Sequence, residues 1–269
     1  MERTWPLSDA HGHMGTREER RERREKRILS MLCAVSPEEA EELLQEEGIW
    51  DYRTDGFPGR GRYLVPACGI HPWHADQYCL EDMEPWMKLC PVIGEIGMDS
   101  VWCAVDLSVQ KERFEQQLYL AQSWGKPVVL HTKGQEEESA DILRKYPNRY
   151  LVHWYSCDFH LEKYLELDCY FSVGPDVWWN KAVQQVARFS PADRLLLETD
   201  GLDAVKWAYE EGMKSGRPEI APPGAKRGTA RSLACTLETA ARIRGTAPDL
   251  LGRQARDNLE AFITGKLFK

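Results

Sequence analysis

The chain has 269 residues, of which 42% are apolar and 29% are charged. This balance supports a sizeable core and excludes a disordered, collagen-like or coiled-coil protein. A single α/β barrel of roughly 250 residues would use nearly all of this length. Neither a repeat nor a Pro-rich or Ser/Gly-rich linker divides the sequence, so we expect one domain over 1–269.

The formal net charge of −8 excludes a broadly basic surface of the kind that coats nucleic acid. No stretch approaches the roughly 18 consecutive apolar residues of a membrane helix, and the first residues lack a signal-peptide pattern. The eight cysteines are scattered without a CxxC pair, which is typical of reduced thiols rather than a disulfide framework. We therefore expect a soluble cytoplasmic protein with no membrane partner and no obligate protein partner.

Short apolar runs recur along the chain and predict eight strands. The predicted strands are 4–10, 28–35, 63–69, 92–96, 127–130, 150–152, 170–173 and 195–197. The segments between them carry helix signals, including a capping box at 36–39. A second signal is an apolar helical stripe ahead of Gly125, made of Val109, Phe114, Leu118 and Ala121. This alternation fits a (β/α)8 TIM barrel and also fits a doubly wound open sheet.

Two further segments can be interpreted from their charge pattern and their proline content. The run 17–27 (REERRERREKR) could be a nucleic-acid arm, but its interleaved acids and bases favour i,i+4 pairing on a solvated helix. The longest stretch without a clear strand is 201–228, which is helical-looking at 204–213 and then rich in proline. In a barrel, this stretch would lie over the active face.

Polar residues that can carry chemistry follow the predicted strands. In a parallel barrel the carboxyl ends of the strands form one rim, so residues far apart in sequence converge there on one pocket. This placement favours the barrel over the open sheet. The residues are His11, His13, His71, Glu95, His131, His153 and Asp200.

Each of these residues has an alternative structural interpretation. His11 and His13 have the i,i+2 spacing that points both imidazoles to one side of a strand, where they could chelate an ion or be hydrogen-bonded core residues. Glu95 lies in an apolar strand and needs a cation, a proton or a salt bridge. His131 and His153, taken singly, could each be a hydrogen-bonded core histidine.

The set as a whole indicates a metal site. Asp200 closes the run 195–200, and strand alternation places Glu198 one layer deeper, where it could orient a ligand. Four histidines and two carboxylates can hold two divalent ions with a bridging carboxylate and open positions for water. Zinc, manganese, magnesium, nickel and iron all suit such a mixed set.

A series of short motifs runs along most of the chain. They are the early HxH, Gly69-Ile70-His71-Pro72, G-E-x-G-x-D at 94–99, Q-x-x-x-F-x-x-Q-L-x-L-A at 110–121, P-V-x-x-H at 127–131, the strand end at His153, and Glu198-Thr199-Asp200. In the order and spacing of these motifs the sequence resembles the TatD family of metal-dependent deoxyribonucleases, which are amidohydrolase-like TIM barrels.

The resemblance implies a two-metal site and a hydrolytic activity. His11, His13, Glu95 and Asp200 would surround one metal, and Glu95, His131 and His153 the other, with Glu95 bridging. The implied activity is that of a DNA-directed 3′ exonuclease. In the corresponding mechanism the metals lower the pKa of a bound water and Asp200 accepts its proton.

Two further residues are candidates for contact with substrate. His71 and Lys133 could stabilise substrate oxyanions, although His71 could equally be a hydrogen-bonded histidine that fixes the Pro72 turn. The family usually has an arginine where Lys133 stands, and lysine keeps the charge but loses the planar fork. The segments after Asp200 and at 226–228 also depart from the family pattern. These departures leave the metal set intact and bear on the substrate.

Three functions remain open from the sequence: a deoxyribonuclease, a hydrolase of a small phosphoester or carbonyl compound such as an ester, amide or lactone, and a non-catalytic metal scaffold. The intact Asp200 argues against the scaffold. Four tryptophans could stack bases at the mouth of the barrel or could be packing residues: Trp73, Trp154, Trp178 and Trp179. His74 and His160 lack a strand-end position and are expected at the surface.

Overall fold

Eight parallel strands form one sheet in which each strand pairs with the next along the chain. The protein is described from a computed structural model over residues 5–51, 61–215 and 221–265. The strands are β1 Ser8–His13, β2 Leu29–Ala34, β3 Leu64–Cys68, β4 Val92–Asp99, β5 Val128–Lys133, β6 Tyr150–Val152, β7 Tyr170–Val173 and β8 Leu195–Leu197.

Helices follow the strands in alternation. They are α1 Arg17–Glu25, α2 Pro37–Leu44, α3 Leu80–Leu89, α4 Leu107–Trp124, α5 Glu136–Leu143, α6 Leu161–Glu166, α7 Lys181–Phe189, α8 Leu202–Lys214, α9 Thr229–Arg244 and α10 Pro248–Thr264. Among the helices described, none is both long and apolar enough to cross a membrane.

The first and last strands come together and nearly close the barrel. The backbone N–H of Asp200, just beyond β8, donates to the carbonyl of His11 in β1 at 3.1 Å. The strand order and this contact separate a barrel from an open sheet, in which the first strand would not meet the last. The predicted (β/α)8 TIM barrel is therefore confirmed.

The predicted strands agree best where they are short and apolar. The ranges 150–152, 170–173 and 195–197 match β6, β7 and β8 residue for residue. The prediction for the first strand, 4–10, is wrong at both ends, because β1 runs from Ser8 to His13; Thr4 lies outside the described residues. The polar end of β1 is still strand because Gly12 and His13 pair with β2.

The predicted helix signals are found in α2 and α4. The Ser36 hydroxyl accepts from the backbone N–H of Glu39 at 3.2 Å, so the serine cap is confirmed. The full capping box is not formed, because the Glu39 side chain accepts from the N–H of Val35, one residue before the cap. Helix α4 ends at Gly125, whose φ of 65° is the left-handed conformation that glycine adopts without a Cβ clash. Phe114, Leu118 and Ala121 of the predicted stripe are buried.

The barrel interior changes from apolar to polar toward the carboxyl ends of the strands. An apolar cluster takes side chains from all eight strands, including Val129, Leu151 and Leu196. Because side chains alternate along a strand, the next inward positions after these three belong to His131, His153 and Glu198. The packed core thus ends in a layer of titratable groups at one rim.

Helix α1 is not the fully solvated helix that its charge pattern predicts. The helix itself is confirmed, but the Arg20 and Arg23 side chains are 2% and 0% exposed. Arg23 Nη2 donates to Asp9 Oδ2 at 2.9 Å, and Arg20 donates to Glu42 and Glu46 of the α2 segment. The prediction was wrong for these two arginines because their partners lie in other elements.

Acidic residues of α1 also hold the two helices that follow β8. Neither α8 nor α9 has a side-chain cap of its own at its N-terminus. Glu19 accepts from the backbone N–H of Leu202 at 3.3 Å, and Glu22 accepts from that of Thr229 at 2.9 Å. Helix α1 therefore fixes where α8 begins, directly beyond Asp200.

Candidate metal centre

The barrel rim brings together the side chains that the sequence singled out. His11 and His13 lie in β1, Glu95 in β4 and His131 in β5. His153 directly follows β6, and Asp200 lies three residues beyond the end of β8. His11 Nε2 lies 3.2 Å from Glu95 Oε2 and 3.2 Å from Asp200 Oδ1. His13 Nε2 lies 3.4 Å and 3.5 Å from the same two oxygens. Two imidazole nitrogens and two carboxylate oxygens thus surround one point.

A second group meets the other oxygen of Glu95. Glu95 Oε1 lies 2.7 Å from His131 Nδ1 and 2.7 Å from His153 Nε2. Those two nitrogens are 3.4 Å apart. His71 Nε2 stands slightly farther away, 3.5 Å from the same oxygen. The two oxygens of Glu95 therefore face two different sets of histidines.

Several groups of side chains are close enough to share an ion. Within the described ranges, three such groups have potential ligand atoms that all lie within 4.8 Å of one another: His11 with His13 and Glu95, His11 with His153 and Asp200, and His71 with Glu95 and His131. These groups overlap the two sets that the family resemblance implies but do not divide in the same way. The division between two ions therefore stays a prediction.

Buried polar atoms without hydrogen-bond partners indicate that this cluster suits a cation. His11 Nε2, Glu95 Oε2 and Asp200 Oδ1 are all buried without a hydrogen-bond partner. A buried polar atom without a partner is costly. In tetrahedral coordination with bonds of 2.0–2.1 Å, neighbouring ligand atoms stand about 3.4 Å apart. The separations of 3.2–3.5 Å among these atoms and His13 Nε2 fit that spacing.

Groups behind three of the histidines orient them toward the cluster. His131 Nε2 lies 3.1 Å from Asp99 Oδ2. His153 Nδ1 faces Glu198 Oε1 at 3.6 Å, and His11 Nδ1 lies 3.4 Å from the Cys33 sulfur. An N–H directed at each of these outer partners leaves the other ring nitrogen with its lone pair toward the cluster. The position of Glu198 one layer deeper agrees with its predicted orienting role.

His71 has the opposite arrangement. Its Nδ1 accepts a hydrogen bond from the backbone N–H of Trp73 at 3.2 Å, so in the neutral ring the proton is on Nε2. Burial lowers the pKa of His71 to about 4, against the opposing effect of Glu95. The geometry of His71 therefore agrees with both sequence-based interpretations. Its Nδ1 fixes the turn at Pro72, and its Nε2 directs an N–H into the site.

The pKa values in the cluster are shifted toward ionised carboxylates and protonated imidazoles. Burial alone would raise the pKa of Glu95, but His153, His71 and His11 together hold it well below its usual range. Burial alone would lower the pKa of His153, and Glu95 reverses this and raises it to about 9. The pKa of Asp200 is lowered too, since His11 and His13 outweigh the effect of burial. The rim is thus an anionic centre surrounded by imidazoles.

The predicted metal ligands His11, His13, Glu95, His131, His153 and Asp200 are called the metal cluster below. The metal cluster forms the floor of a cavity of about 530 Å³. Its walls include the predicted substrate-binding residues His71 and Lys133, together with Asp176, Asn180 and Ser156. Ala204 and Trp207 of α8 also line it, so this part of the predicted stretch 201–228 lies over the face as expected, whereas 216–220 lie outside the described residues. The Lys133 amine donates to the Ser156 hydroxyl at 2.5 Å and lies 4.6 Å from the centre of the Trp102 ring.

The four tryptophans considered from the sequence fall into two pairs. Trp73 and Trp154 line the cavity. Trp178 is 5% exposed, and the Trp179 indole N–H donates to the carbonyl of Ala208 at 2.9 Å, so this pair packs against α8. His74 is also at the cavity rather than on the remote surface, and it was missed as a lining residue because it follows a turn rather than a strand.

Sequence reasoning missed three further residues of this region. Asp99 is fully buried at the end of β4 and joins His131 to the Trp73 indole. Its position at a strand end was the same signal that identified the histidines. Trp102 lies in the loop after β4 and Trp207 in α8. No periodic pattern marks either tryptophan, because each faces a cavity and not a core.

A parallel eight-stranded barrel with histidines and carboxylates clustered at the carboxyl ends of its strands is the architecture of a metal-dependent hydrolase. The chain belongs to the TatD family: the family model described as TatD related DNase matches residues 9–264. This match covers nearly the whole chain, including every residue of the predicted metal set.

Two curated relatives are named as uncharacterized metal-dependent hydrolases. The chain is 31% identical over 146 residues to YcfH of Escherichia coli K12, and 28% identical over 150 residues to YabD of Bacillus subtilis. Each alignment covers 51% of this chain, and it covers 55% of YcfH and 58% of YabD. The chain therefore aligns with little more than half the length of these relatives.

Solved structures share the fold at low sequence identity. The TatD homologue YjjV of Escherichia coli K12 superposes with a TM-score of 0.74 at 19% identity, over 98% of this chain and 100% of that one. A TatD family hydrolase of Entamoeba histolytica superposes with a TM-score of 0.71 at 14% identity, over 98% and 99%. Identities this low support the barrel and its topology.

Proposed function

We propose that this protein hydrolyses ester bonds at a binuclear divalent-metal centre, and that phosphodiester hydrolysis of DNA is its first candidate activity. The observation that carries the proposal is the set of buried polar atoms His11 Nε2, Glu95 Oε2 and Asp200 Oδ1, which face one another without hydrogen-bond partners. The description of the matching family as TatD related DNase supports DNA as the substrate.

The two faces of Glu95 support the division of ligands. Its Oε2 faces His11 and His13, and Asp200 completes that set. Its Oε1 faces His131 and His153, both of which direct their outer nitrogen at a carboxylate. Glu95 would then bridge the two ions. His71 is left out of both sets because the ring nitrogen that faces the site carries the proton.

The residues of the chain have separable tasks in such a reaction. Bound divalent ions would lower the pKa of a coordinated water and polarise the ester. The Asp200 carboxylate lines the cavity and would accept the proton of the attacking water. The His71 Nε2–H would donate to a substrate oxygen on which charge develops. Lys133 would add positive charge at the wall, where the family usually has arginine.

A small phosphoester or carbonyl substrate is the second candidate, because of the charge of the cavity. Of the described residues that line the cavity, Lys133 is the one lysine, and none is an arginine. Proteins that bind polynucleotides place several lysines or arginines along the phosphates. A compact cavity with one lysine, in a chain of net charge −8, accommodates a short substrate more readily than a long polyanion.

Hydrolysis assays with added manganese or zinc test the proposed function. The substrates would be single-stranded DNA, the chromogenic diester bis(p-nitrophenyl) phosphate and a panel of lactones. We expect turnover of at least one of them that stops when EDTA is added. Cleavage of DNA would support the first candidate, and cleavage of only small compounds the second. No turnover of any of them, with metal tightly retained, would support a scaffold and contradict the proposal.

The purified protein is expected to contain more than one equivalent of divalent metal. The two oxygens of Glu95 face separate groups of histidines, so a single ion would leave one group unused. Elemental analysis by inductively coupled plasma mass spectrometry, after dialysis against metal-free buffer, measures the ratio. A matched variant, His131→Gln, is expected to lose about one equivalent. A strict one-metal result for the unmodified protein would contradict the binuclear site.

A further inference from the structure

Four tryptophans surround the cavity above the metal cluster, and most of them are unusually exposed. They are Trp73, Trp102, Trp154 and Trp207. Trp73, Trp102 and Trp207 are 44%, 53% and 42% exposed. Exposed tryptophans normally occur singly, and a group of them at one cavity marks a binding surface rather than core packing.

Two of these rings are held by hydrogen bonds to buried aspartate side chains. The Trp73 indole N–H donates to Asp99 Oδ2 at 2.7 Å, and the Trp154 indole N–H donates to Asp176 Oδ1 at 2.8 Å. Asp99 and Asp176 are 0% and 1% exposed. Asp176 is itself fixed by the Asn180 amide at 2.7 Å. Hydrogen bonds to such buried carboxyl groups fix the orientation of each ring before any ligand arrives.

The backbone around Trp154 also favours this placement of its ring. Trp154 has a φ of 39°, in the left-handed region that bulky residues rarely adopt. A Cβ built on Gly174 would lie 2.6 Å from the Trp154 ring, so the ring rests on bare glycine backbone. Strained backbone of this kind persists where the surrounding structure holds it, and it concentrates at binding sites.

The outer two rings extend the wall toward solvent. Trp207 of α8 contacts both Trp154 and Trp102 edge to face, with ring centres 6.0 Å and 5.8 Å apart. The Lys133 amine lies over Trp102. Trp102, Trp207 and Trp154 are thus in contact in series, and Trp73 lines the same cavity. These four residues, Trp73, Trp102, Trp154 and Trp207, are called the aromatic wall below.

We propose that the aromatic wall binds one planar ring of the substrate and places the bond beside that ring over the metal cluster. The wall is close to the reacting groups, because Trp154 directly follows His153, and Trp73 reaches His131 through Asp99. The ring could be that of a small aromatic ester or the base of a terminal nucleotide. This inference rests on the proposed hydrolase function for the identity of the reacting bond, but not for the binding of the ring.

Two phosphonates that resist hydrolysis test the ring preference directly. Benzylphosphonate and n-butylphosphonate carry the same metal-binding group, and only the first carries a ring. Isothermal titration of the manganese-loaded protein is expected to show about tenfold tighter binding of benzylphosphonate, as ring stacking on tryptophan implies. Equal dissociation constants for the two compounds would overturn the inference.

Variants of the outer wall and a matched control locate the effect. Trp207→Leu and Trp102→Leu remove exposed rings, so both proteins should fold, which circular dichroism checks. Each is expected to lower the benzyl-to-butyl preference at least threefold. Trp124→Leu alters a tryptophan of α4 outside the cavity and should leave the preference unchanged. An unchanged preference in both wall variants would overturn the inference.

Phosphorothioate oligothymidylates of two and eight nucleotides distinguish a nucleobase from the ring of a small aromatic ester. If the dinucleotide binds more tightly than benzylphosphonate, and Trp207→Leu weakens that binding, the ring is a nucleobase. If the dinucleotide binds more weakly than benzylphosphonate, the ring is that of a small aromatic compound. Either result supports a site for a single ring. Much tighter binding of the eight-residue strand, with steep salt dependence and no effect of the wall variants, would overturn it. Ring preference without turnover of any substrate would contradict the proposed function alone.

Discussion

Asparagine in place of Asp200 is expected to lower kcat about a thousandfold, within the range typical of a lost general base. The amide cannot accept a proton from water, yet it keeps the size of the side chain and one oxygen toward His11. Asparagine also tolerates the left-handed backbone that Asp200 adopts at φ 57°. The variant should therefore fold normally and retain much of its metal.

The measurement compares steady-state kinetics, metal content and the melting temperature of the two proteins. Asp203→Asn is the matched control, because Asp203 is an exposed aspartate three positions later in α8. It should leave kcat within about twofold, as expected of a substitution outside the site. Full activity in the Asp200→Asn variant would refute its role as the base. Loss of both ions in that variant would show that the main role of Asp200 is to bind metal rather than to accept the proton.

Methionine in place of Arg23 is expected to lower the free energy of unfolding by about 3–5 kcal/mol, the usual effect of removing one partner of a buried ion pair. Arg23 Nη2 donates to Asp9 Oδ2, and both side chains are 0% exposed. Without the guanidinium, Asp9 would keep only its hydrogen bonds from Thr199 and would be a buried, uncompensated carboxylate.

Urea denaturation of the metal-free protein measures this loss. Arg21→Met is the matched control, because Arg21 lies in the same helix, is 63% exposed and pairs only loosely with Glu25 at 3.8 Å. It should change the free energy of unfolding by less than about 0.5 kcal/mol. Adding Asp9→Asn to Arg23→Met should restore part of the lost stability. A loss below 1 kcal/mol in Arg23→Met would contradict a structural role for the pair.

The fold could be predicted because its signals are local. Short apolar runs such as 150–152 and 195–197 are too short for a helix and predict buried strands. They match the observed strands. Titratable residues directly after such runs were correctly placed at one rim, since parallel strands all end on the same side. The prediction needed no knowledge of how any two of these residues touch.

The features that could not be predicted depend on contacts between distant segments. The charge pattern of α1 is the same whether Arg23 faces solvent or Asp9, and only the barrel decides between them. The exposure of Trp102 and Trp207 likewise follows from how a loop and α8 meet across the cavity. For His71, the sequence offered two roles as alternatives, whereas the ring geometry gives one role to each nitrogen.

The hydrogen bond from the Asp200 N–H to the His11 carbonyl bears on whether activity or the fold is lost first on heating. This bond joins the two ends of the sheet and also holds the proposed base against one of the proposed metal ligands. Any parting of the first and last strands at the rim would separate these two side chains while the rest of the sheet is still paired. Inactivation by heat is therefore expected to precede global melting, which activity and circular dichroism recorded against temperature would show.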